Sequence, residues 1–122
     1  MQKTWIFDLD GTLVEHNGYL KYGEDVLLDG VKEFFDTIPE GDMIVILSAR
    51  SSAYGAQTVE FLRKNDIRYN LIIFDAPKGE RILVNDKKPD GLKCAYAINV
   101  DRNDFGNVWS ELGNKRGESE NK

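Results

Sequence analysis

Short apolar runs alternate with helical patterns along this chain, and the alternation predicts its architecture. The runs cover residues 5–7, 43–47, 69–74 and 81–86. Each is brief and rich in β-branched or aromatic residues, as buried strands are. Strands that alternate with helices favour a parallel sheet with helices on both faces. The pattern therefore predicts an α/β fold whose later strands are buried on both faces.

The segments between these runs predict two helices and one irregular connection. Apolar positions recur with helical spacing over residues 31–38, with Asp29 as the expected N-cap. A second helix is predicted over residues 53–65. The glycine-spaced stretch from 13 to 25 has no sustained helical period and predicts a loop or small hairpin. A last short strand is expected near residues 95–100.

The length and composition are those of a single globular domain. The chain has 122 residues, of which 41% are hydrophobic and 30% charged. We expect residues 1–112 to form this domain, and the polar tail 113–122 to be disordered. No apolar run approaches the ~20 residues of a membrane span. Together with the absence of a signal-peptide core after Met1, this favours a cytoplasmic protein without a membrane partner.

The net charge and the cysteine content argue against some classes of protein. A net charge of -5 argues against a general nucleic-acid binder, which needs a basic surface. It leaves room for a small phosphorylated substrate, because a metal and a few cations can reverse the local field. The single cysteine, Cys94, excludes an internal disulfide and is expected to be buried as a small hydrophobe.

The first strand ends in two carboxylates that point to metal chemistry. Asp8 and Asp10 follow Phe7, and Gly11 permits the sharp turn after them. Residues two apart in an extended chain point to the same side, so both carboxylates could converge on one point. Two such charges need a cation or a proton between them, and carboxylate oxygens suit Mg²⁺.

The run Asp8-Leu9-Asp10-Gly11-Thr12 resembles the first motif of the haloacid dehalogenase superfamily of phosphotransferases. The resemblance implies a Rossmann-like, three-layer α/β/α sandwich with a mainly parallel sheet and no room for a large cap. It also implies that Asp8 is a nucleophile and Asp10 a general acid and base. Gly11 and Thr12 would help to bind the phosphoryl group.

Later parts of the chain are similar to the remaining motifs of that superfamily. Ser48 ends the second predicted strand, where the family binds a phosphoryl oxygen, and Lys78 best matches the family's lysine. Asp86 aligns with a metal ligand, so the implied Mg²⁺ ligands are Asp8, the backbone carbonyl of Asp10 and Asp86. Further supporting or substrate-binding candidates are Asn85, Asp90 and Arg50. The guanidinium of Arg50 could clamp a substrate or pair with a surface acid.

These residues together predict a Mg²⁺-dependent phosphatase. Its substrate is expected to be a phosphate monoester, first a sugar phosphate or related metabolite, and second a macromolecule or a nucleic-acid 3′-phosphate. An open site without a cap also suggests a homo-oligomer in which a neighbouring subunit acts as a lid. A different class, a non-catalytic phosphate-sensing domain of the receiver type, uses a similar set of groups.

Overall fold

The computed structural model describes residues 1–113 and shows a small α/β fold built on a parallel sheet. Of the predicted tail 113–122, residue 113 is described and helical, and residues 114–122 lie outside this part of the chain. A further helical segment covers residues 108–113 at the end of the described part. The named elements are β1 (Thr4–Phe7), α1 (Gly18–Lys21), α2 (Val31–Thr37), β2 (Met43–Leu47), a 3₁₀ turn (Ser52–Tyr54), α3 (Gly55–Lys64) and β3 (Leu71–Ile73).

The sheet has three strands in the order β1-β2-β3, and both pairs are parallel. Ile6 of β1 pairs with Val45 of β2, which in turn pairs with Leu71 of β3. All three strands therefore run in one direction, and their carboxyl ends lie at one edge of the sheet. The prediction of parallel strands separated by helices is confirmed for this part of the chain.

One face of the sheet carries the core. Phe7 of β1 stacks at 4.7 Å between ring centroids on Phe35 of α2, and Ile44 and Ile46 of β2 are fully buried. Leu62 of α3 joins the same hydrophobic cluster. The apolar spacing that predicted α2 is confirmed, because its apolar positions are the ones that are buried. Helix burial of this kind stabilises by about 25 cal/mol per Å² of apolar surface.

The opposite face of the sheet is largely exposed in the described structure. Ile6 is 54% exposed, Met43 49%, Leu71 51% and Ile73 40%. The prediction that β2 and β3 are buried on both faces is therefore wrong. Among the described residues no helical layer covers this face. The alternating burial of β2, with Ile44 and Ile46 inside, shows a strand with one packed side.

The region after β3 departs most from the prediction. Residues 79–100 form no helix or strand, so the predicted strands at 81–86 and 95–100 are absent. Ile82 is 83% exposed and Val84 89%. Cys94 is also exposed rather than buried. An apolar, β-branched run favours a strand only where a neighbouring strand supplies hydrogen-bond partners and a packed face.

The connection between β1 and α2 closes on itself as a small hairpin. The amide of Glu15 donates to the carbonyl of Val26, and the amide of Leu28 donates to that of Leu13, each at 2.9 Å. The one-turn helix α1 lies at the tip. The prediction of a loop or small hairpin here is confirmed, and the connection ends at Gly30.

The start of α2 differs from the predicted cap. Gly30, with φ of 87°, is the N-cap residue, and no side chain caps the helix. The expected role of Asp29 is therefore wrong. The left-handed φ is one that glycine adopts without the steric cost that a Cβ would bring.

A C-terminal segment that the sequence analysis did not assign completes the core. Phe105 is 1% exposed and meets the ring of Phe34 at 5.4 Å, and Trp109 meets the same ring at 4.7 Å. None of the helices in the described residues has the length and apolar character needed to cross a membrane.

Candidate active site

The predicted site residues begin at the carboxyl edge of the sheet. Asp8 comes directly after β1, and Ser48 comes directly after β2, which is the neighbouring parallel strand. Leu9 is 1% exposed, whereas Asp8 and Asp10 on either side of it are only partly buried. The buried leucine anchors this loop in the core, with one carboxylate on either side of it.

The loop is held by its own backbone. The amides of Thr12 and Leu13 donate to the carbonyl of Leu9 at 3.2 and 2.9 Å, and the amide of Gly11 donates to the carbonyl of Val14 at 2.7 Å. These bonds fix the turn that follows the acids. The Gly11 and Thr12 amides, predicted to face a phosphoryl group, thus already have partners inside the loop.

Asp8 has one hydroxyl and one cation beside it. The hydroxyl of Thr12 donates to Asp8 Oδ2 at 3.1 Å, and Arg81 Nη2 lies 3.8 Å from Asp8 Oδ1. The side chain of Asp8 is 43% exposed. A carboxylate that is oriented on one side and open on the other can reach an incoming electrophile.

Asp10 is held by a buried guanidinium. Arg50 Nη2 donates to Asp10 Oδ1 at 2.7 Å, and Arg50 Nε lies 3.3 Å from Asp10 Oδ2. The side chain of Arg50 is 0% exposed, and that of Asp10 is 19% exposed. The fork geometry fixes the plane of the Asp10 carboxylate.

The same guanidinium also binds a second, deeper carboxylate. Arg50 Nη1 and Nη2 each donate to Asp25 at 2.9 Å, and Nη1 donates to the hydroxyl of Thr58 at 2.8 Å. The ring of Tyr19 covers the group, 3.8 Å from Arg50 Cζ to the ring centroid. All five N–H groups of Arg50 therefore have acceptors. Arg50 neither clamps a substrate nor pairs with a surface acid.

Two shifted pKa values follow from this arrangement. Burial alone would lower the pKa of Arg50, but its hydrogen bonds to Asp25 and Asp10 outweigh that effect and raise it. Burial raises the pKa of the Tyr19 phenol, and the nearby charge of Asp10 adds to the shift. Arg50 therefore stays charged, and Tyr19 stays neutral, throughout the physiological range.

Ser48 is buried at the end of β2, 1% exposed, and its position is fixed by main-chain bonds. Its amide donates to the carbonyl of Ile73 at 2.8 Å, and its hydroxyl oxygen accepts from the amide of Arg50 at 3.0 Å. The hydroxyl proton is left free to donate. The same turn that presents Ser48 thus also sends the Arg50 side chain inward.

A distant turn packs against the acidic loop. Gly11 has φ of 79°, and a Cβ at this position would lie 3.1 Å from Cγ of Arg102. The amide of Asn103 donates to the carbonyl of Gly11 at 2.8 Å, while its side-chain oxygen accepts from the amide of His16 at 2.7 Å. Glycine is required here by both the backbone conformation and the close approach of Arg102.

The predicted metal ligands lie on two segments of the chain, the loop after β1 and the segment after β3. Asp86 lies with Asn85 and Asp90 on the exposed segment after β3, and both oxygens of the Asp10 carboxylate already face Arg50. Among residues 1–113, no group of three His, Cys, Asp or Glu side chains is placed to hold a metal ion. The predicted set pairs the backbone carbonyl of Asp10 with the carboxylates of Asp8 and Asp86, so the Mg²⁺ site stays a prediction.

The structure adds residues that sequence reasoning missed. Asp25, Thr58 and Tyr19 surround Arg50, although each lies in a segment with no recognisable motif. Arg81 approaches Asp8, whereas the predicted cation, Lys78, is exposed in the loop after β3. A buried arginine needs acceptors for all its donors, but the sequence carried no signal for these partners, because the burial of Arg50 is decided by the fold.

The fold and the site thus define a small α/β protein with paired acids at the carboxyl edge of a parallel sheet. Chains from solved structures are similar to it, among them the following two. One belongs to the Pnkp1/Rnl/Hen1 complex, with 31% sequence identity and a TM-score of 0.53 over 67% of this chain. The other belongs to the Pnkp1/Rnl/Hen1 RNA repair complex, with 32% identity and a TM-score of 0.53 over 66% of this chain.

The similarity covers a limited part of those larger chains. This chain spans 31% and 28% of their respective lengths. No protein-family model matches the chain, and no curated protein sequence matches it.

Proposed function

We propose that this chain is a phosphatase that hydrolyses a phosphate monoester by way of a phosphorylated aspartate. The observation that carries the proposal is the contrast between two neighbouring carboxylates. Asp8 is half exposed and oriented by one hydroxyl, whereas Asp10 is fixed by a buried guanidinium. Two acids in different environments are suited to different roles in one reaction.

In the first half of the reaction, Asp8 is the nucleophile. A carboxylate oxygen of Asp8 bonds to phosphorus as the bond between phosphorus and the ester oxygen breaks. Asp10 gives its proton to the departing oxygen, so a neutral alcohol leaves. Arg81, near the other oxygen of Asp8, is the group available to the phosphoryl oxygens. Ser48 is buried beside this site, at 1% exposure, and its predicted contact with a phosphoryl oxygen stays a prediction.

In the second half, water attacks the phosphorus of the aspartyl phosphate. Asp10 accepts a proton from this water, inorganic phosphate is released, and the carboxylate of Asp8 is restored. A divalent metal, when bound, would weaken the repulsion between the nucleophile and the phosphate. We assign no step to the metal, and the Mg²⁺ requirement stays a prediction.

Two substrate classes remain candidates. The sequence favoured a sugar phosphate or related metabolite. The likeness to chains of an RNA repair complex, at 31 and 32% identity, supports the second class, a polynucleotide with a 3′-phosphate. The acidic net charge of -5 implies that any polynucleotide contact is local, around a few cations such as Arg81 and Lys78.

The test is phosphate release by the purified chain. Sugar phosphates and 3′-phosphorylated oligonucleotides are compared, each with Mg²⁺ and with a chelator. We expect Asp8→Asn to lower turnover by about a thousandfold, because covalent catalysis is lost. Asp29→Asn, an exposed carboxylate outside the site, is the matched control and should keep full activity.

Two results would overturn the proposal. Full activity of Asp8→Asn on phosphate monoesters would remove Asp8 from the reaction. A phosphorylated Asp8 that persists for hours, without release of inorganic phosphate, would favour the receiver-type sensor instead.

A further inference from the structure

We propose that Arg50 and Asp25 are positioning residues that hold the Asp10 carboxyl in one orientation for proton transfer. The inference rests on the proposed phosphatase function and adds to it a buried support for the acid and base. Neither residue touches the substrate, because the side chains of Arg50 and Asp25 are 0% and 2% exposed.

The geometry singles out Arg50 as the link between Asp10 and the core. Its Nε and Nη2 atoms face the two oxygens of Asp10, while Nη1 and Nη2 face the two oxygens of Asp25. A guanidinium is planar, so binding two carboxylates at once fixes their relative orientation. Rotation of Asp10 about its side-chain bonds would break at least one of these contacts.

Elements far apart in the sequence build this support. Arg50 follows β2, Asp25 lies in the hairpin before α2, and Thr58 lies on α3. The Thr58 hydroxyl accepts from Arg50 and donates to the carbonyl of Tyr54 at 2.7 Å. Tyr19 of α1 closes the cluster over the face of the guanidinium. Residues of the hairpin and of α3 therefore restrain a group that the sequence alone could assign to the substrate.

Asp25 holds the guanidinium of Arg50 in place by accepting two of its hydrogen bonds. Without it, two Arg50 donors in a buried site would lack acceptors, and the guanidinium would be free to turn toward the surface. The residue is 7% exposed overall and binds the edge of the guanidinium formed by Nη1 and Nη2. It keeps Arg50 in the plane in which Asp10 is bound.

The test uses the dependence of the reaction on its leaving group. The nitrophenolate of 4-nitrophenyl phosphate departs readily without a proton, whereas the phenolate of phenyl phosphate needs one. The measured quantity is kcat/KM, which reports the first irreversible step, the transfer of the phosphoryl group to Asp8. A loss confined to phenyl phosphate therefore marks a defect in proton donation.

For Arg50→Lys we expect about a 30-fold loss of kcat/KM on phenyl phosphate and less than about threefold on 4-nitrophenyl phosphate, within the range of general acid catalysis. Lysine keeps the charge but not the fork. Asp10→Asn should show the same selective pattern. In the Asp10→Asn background, Arg50→Lys should cause little further loss, because both changes remove one function.

Asp25→Asn is a second, independent test of the positioning role, and it can be used if Arg50→Lys does not fold. It leaves Arg50 in place and keeps the shape of the acceptor, and we expect a selective loss of about tenfold on phenyl phosphate, within the same range. The control is Arg63→Lys, an exposed partner of Glu60 on α3, which should leave both substrates unaffected. Circular dichroism verifies the fold of each variant.

Failure of the positioning role can be distinguished from failure of the proposed phosphatase function. Equal losses on both substrates, or additive losses in the double variant, would overturn the positioning role while leaving the phosphatase intact. A wild-type chain that releases no phosphate from either ester, with Asp8→Asn indistinguishable from it, would instead reject the proposed function.

Discussion

At the scale of single residues, the cation next to the nucleophile is not the one that the sequence pattern indicated. Arg81 Nη2 lies 3.8 Å from Asp8 Oδ1, and both side chains are about two-fifths exposed. Lys78, three positions earlier, is exposed in a loop. A lysine in a loop carries little positional information, whereas a guanidinium can span a longer distance to a carboxylate or phosphate.

We expect Arg81→Ala to lower kcat/KM for a phosphate monoester about fivefold to tenfold, because an exposed charge pair contributes of the order of 1 kcal/mol. Lys78→Ala is the matched control and should change it less than about twofold. Steady-state kinetics at two ionic strengths measures both variants. A larger loss of kcat/KM for Lys78→Ala than for Arg81→Ala would show that Lys78, the lysine predicted from the sequence, is the cation that acts beside Asp8.

At the scale of elements, one carboxylate ties the first two strands together. Asp42, just before β2, accepts from the indole N–H of Trp5 at 2.9 Å and from the amide of Lys3 at 3.0 Å. The hydrogen bond from Trp5, followed by that from Lys3, lowers the pKa of Asp42. Hydrogen bonds that favour the ionised form in the fold make this group stabilising when it is charged.

The sign of the pH dependence follows directly. The folded pKa of Asp42 lies below its unfolded value of about 4. Ionised Asp42 therefore contributes fully to the free energy of unfolding above the unfolded pKa, and this contribution is lost as the pH falls through the folded pKa. We expect Asp42→Asn to lower the free energy of unfolding at pH 7, and the difference from wild type to shrink below about pH 4.

Urea unfolding at several pH values measures this effect. Glu40→Gln, an exposed carboxylate two residues earlier in the same loop, is the control and should follow wild type at every pH. A wild-type minus Asp42→Asn difference that grows toward low pH would contradict the assigned direction.

At the scale of the whole molecule, the sheet has an open apolar face. Ile6, Val45 and Leu71 form one row across the three strands, and Ile6 and Leu71 are both more than half exposed. Contiguous exposed apolar surface of this kind often marks a contact with another chain. The homo-oligomer suggested by the sequence remains a prediction, and this row is the surface on which we expect it to form.

We expect the combined change Ile6→Lys and Leu71→Lys to convert any oligomer to a monomer, since it places charges on the shared face. Sedimentation velocity measures the mass across a concentration series. Val59→Lys, an equivalent change on the exposed side of α3, should leave the mass unchanged. A wild-type chain that is monomeric at every concentration would contradict the expectation.

Local patterns predicted the positions of the strands and of α2 and α3 as far as β3, but not which faces of the sheet are covered. The spacing of apolar residues in 31–38 gave α2, and β2 was predicted over the residues that form it, 43–47. The run 81–86 has the same apolar character but forms no strand here. Strand formation depends on a partner strand and a covered face, which a short apolar run does not specify by itself.

The sequence by itself determined that Asp8 and Asp10 follow the end of a strand. The apolar run and the acidic turn after it are adjacent in the sequence, so no distant contact is needed to predict them. Only the tertiary structure decided what Arg50 does. A guanidinium after a strand could face a ligand or the interior, and its direction depends on acceptors contributed by distant segments, Asp25 and Thr58. Burial makes those contacts obligatory, since an unpaired charge in the core costs far more than a paired one.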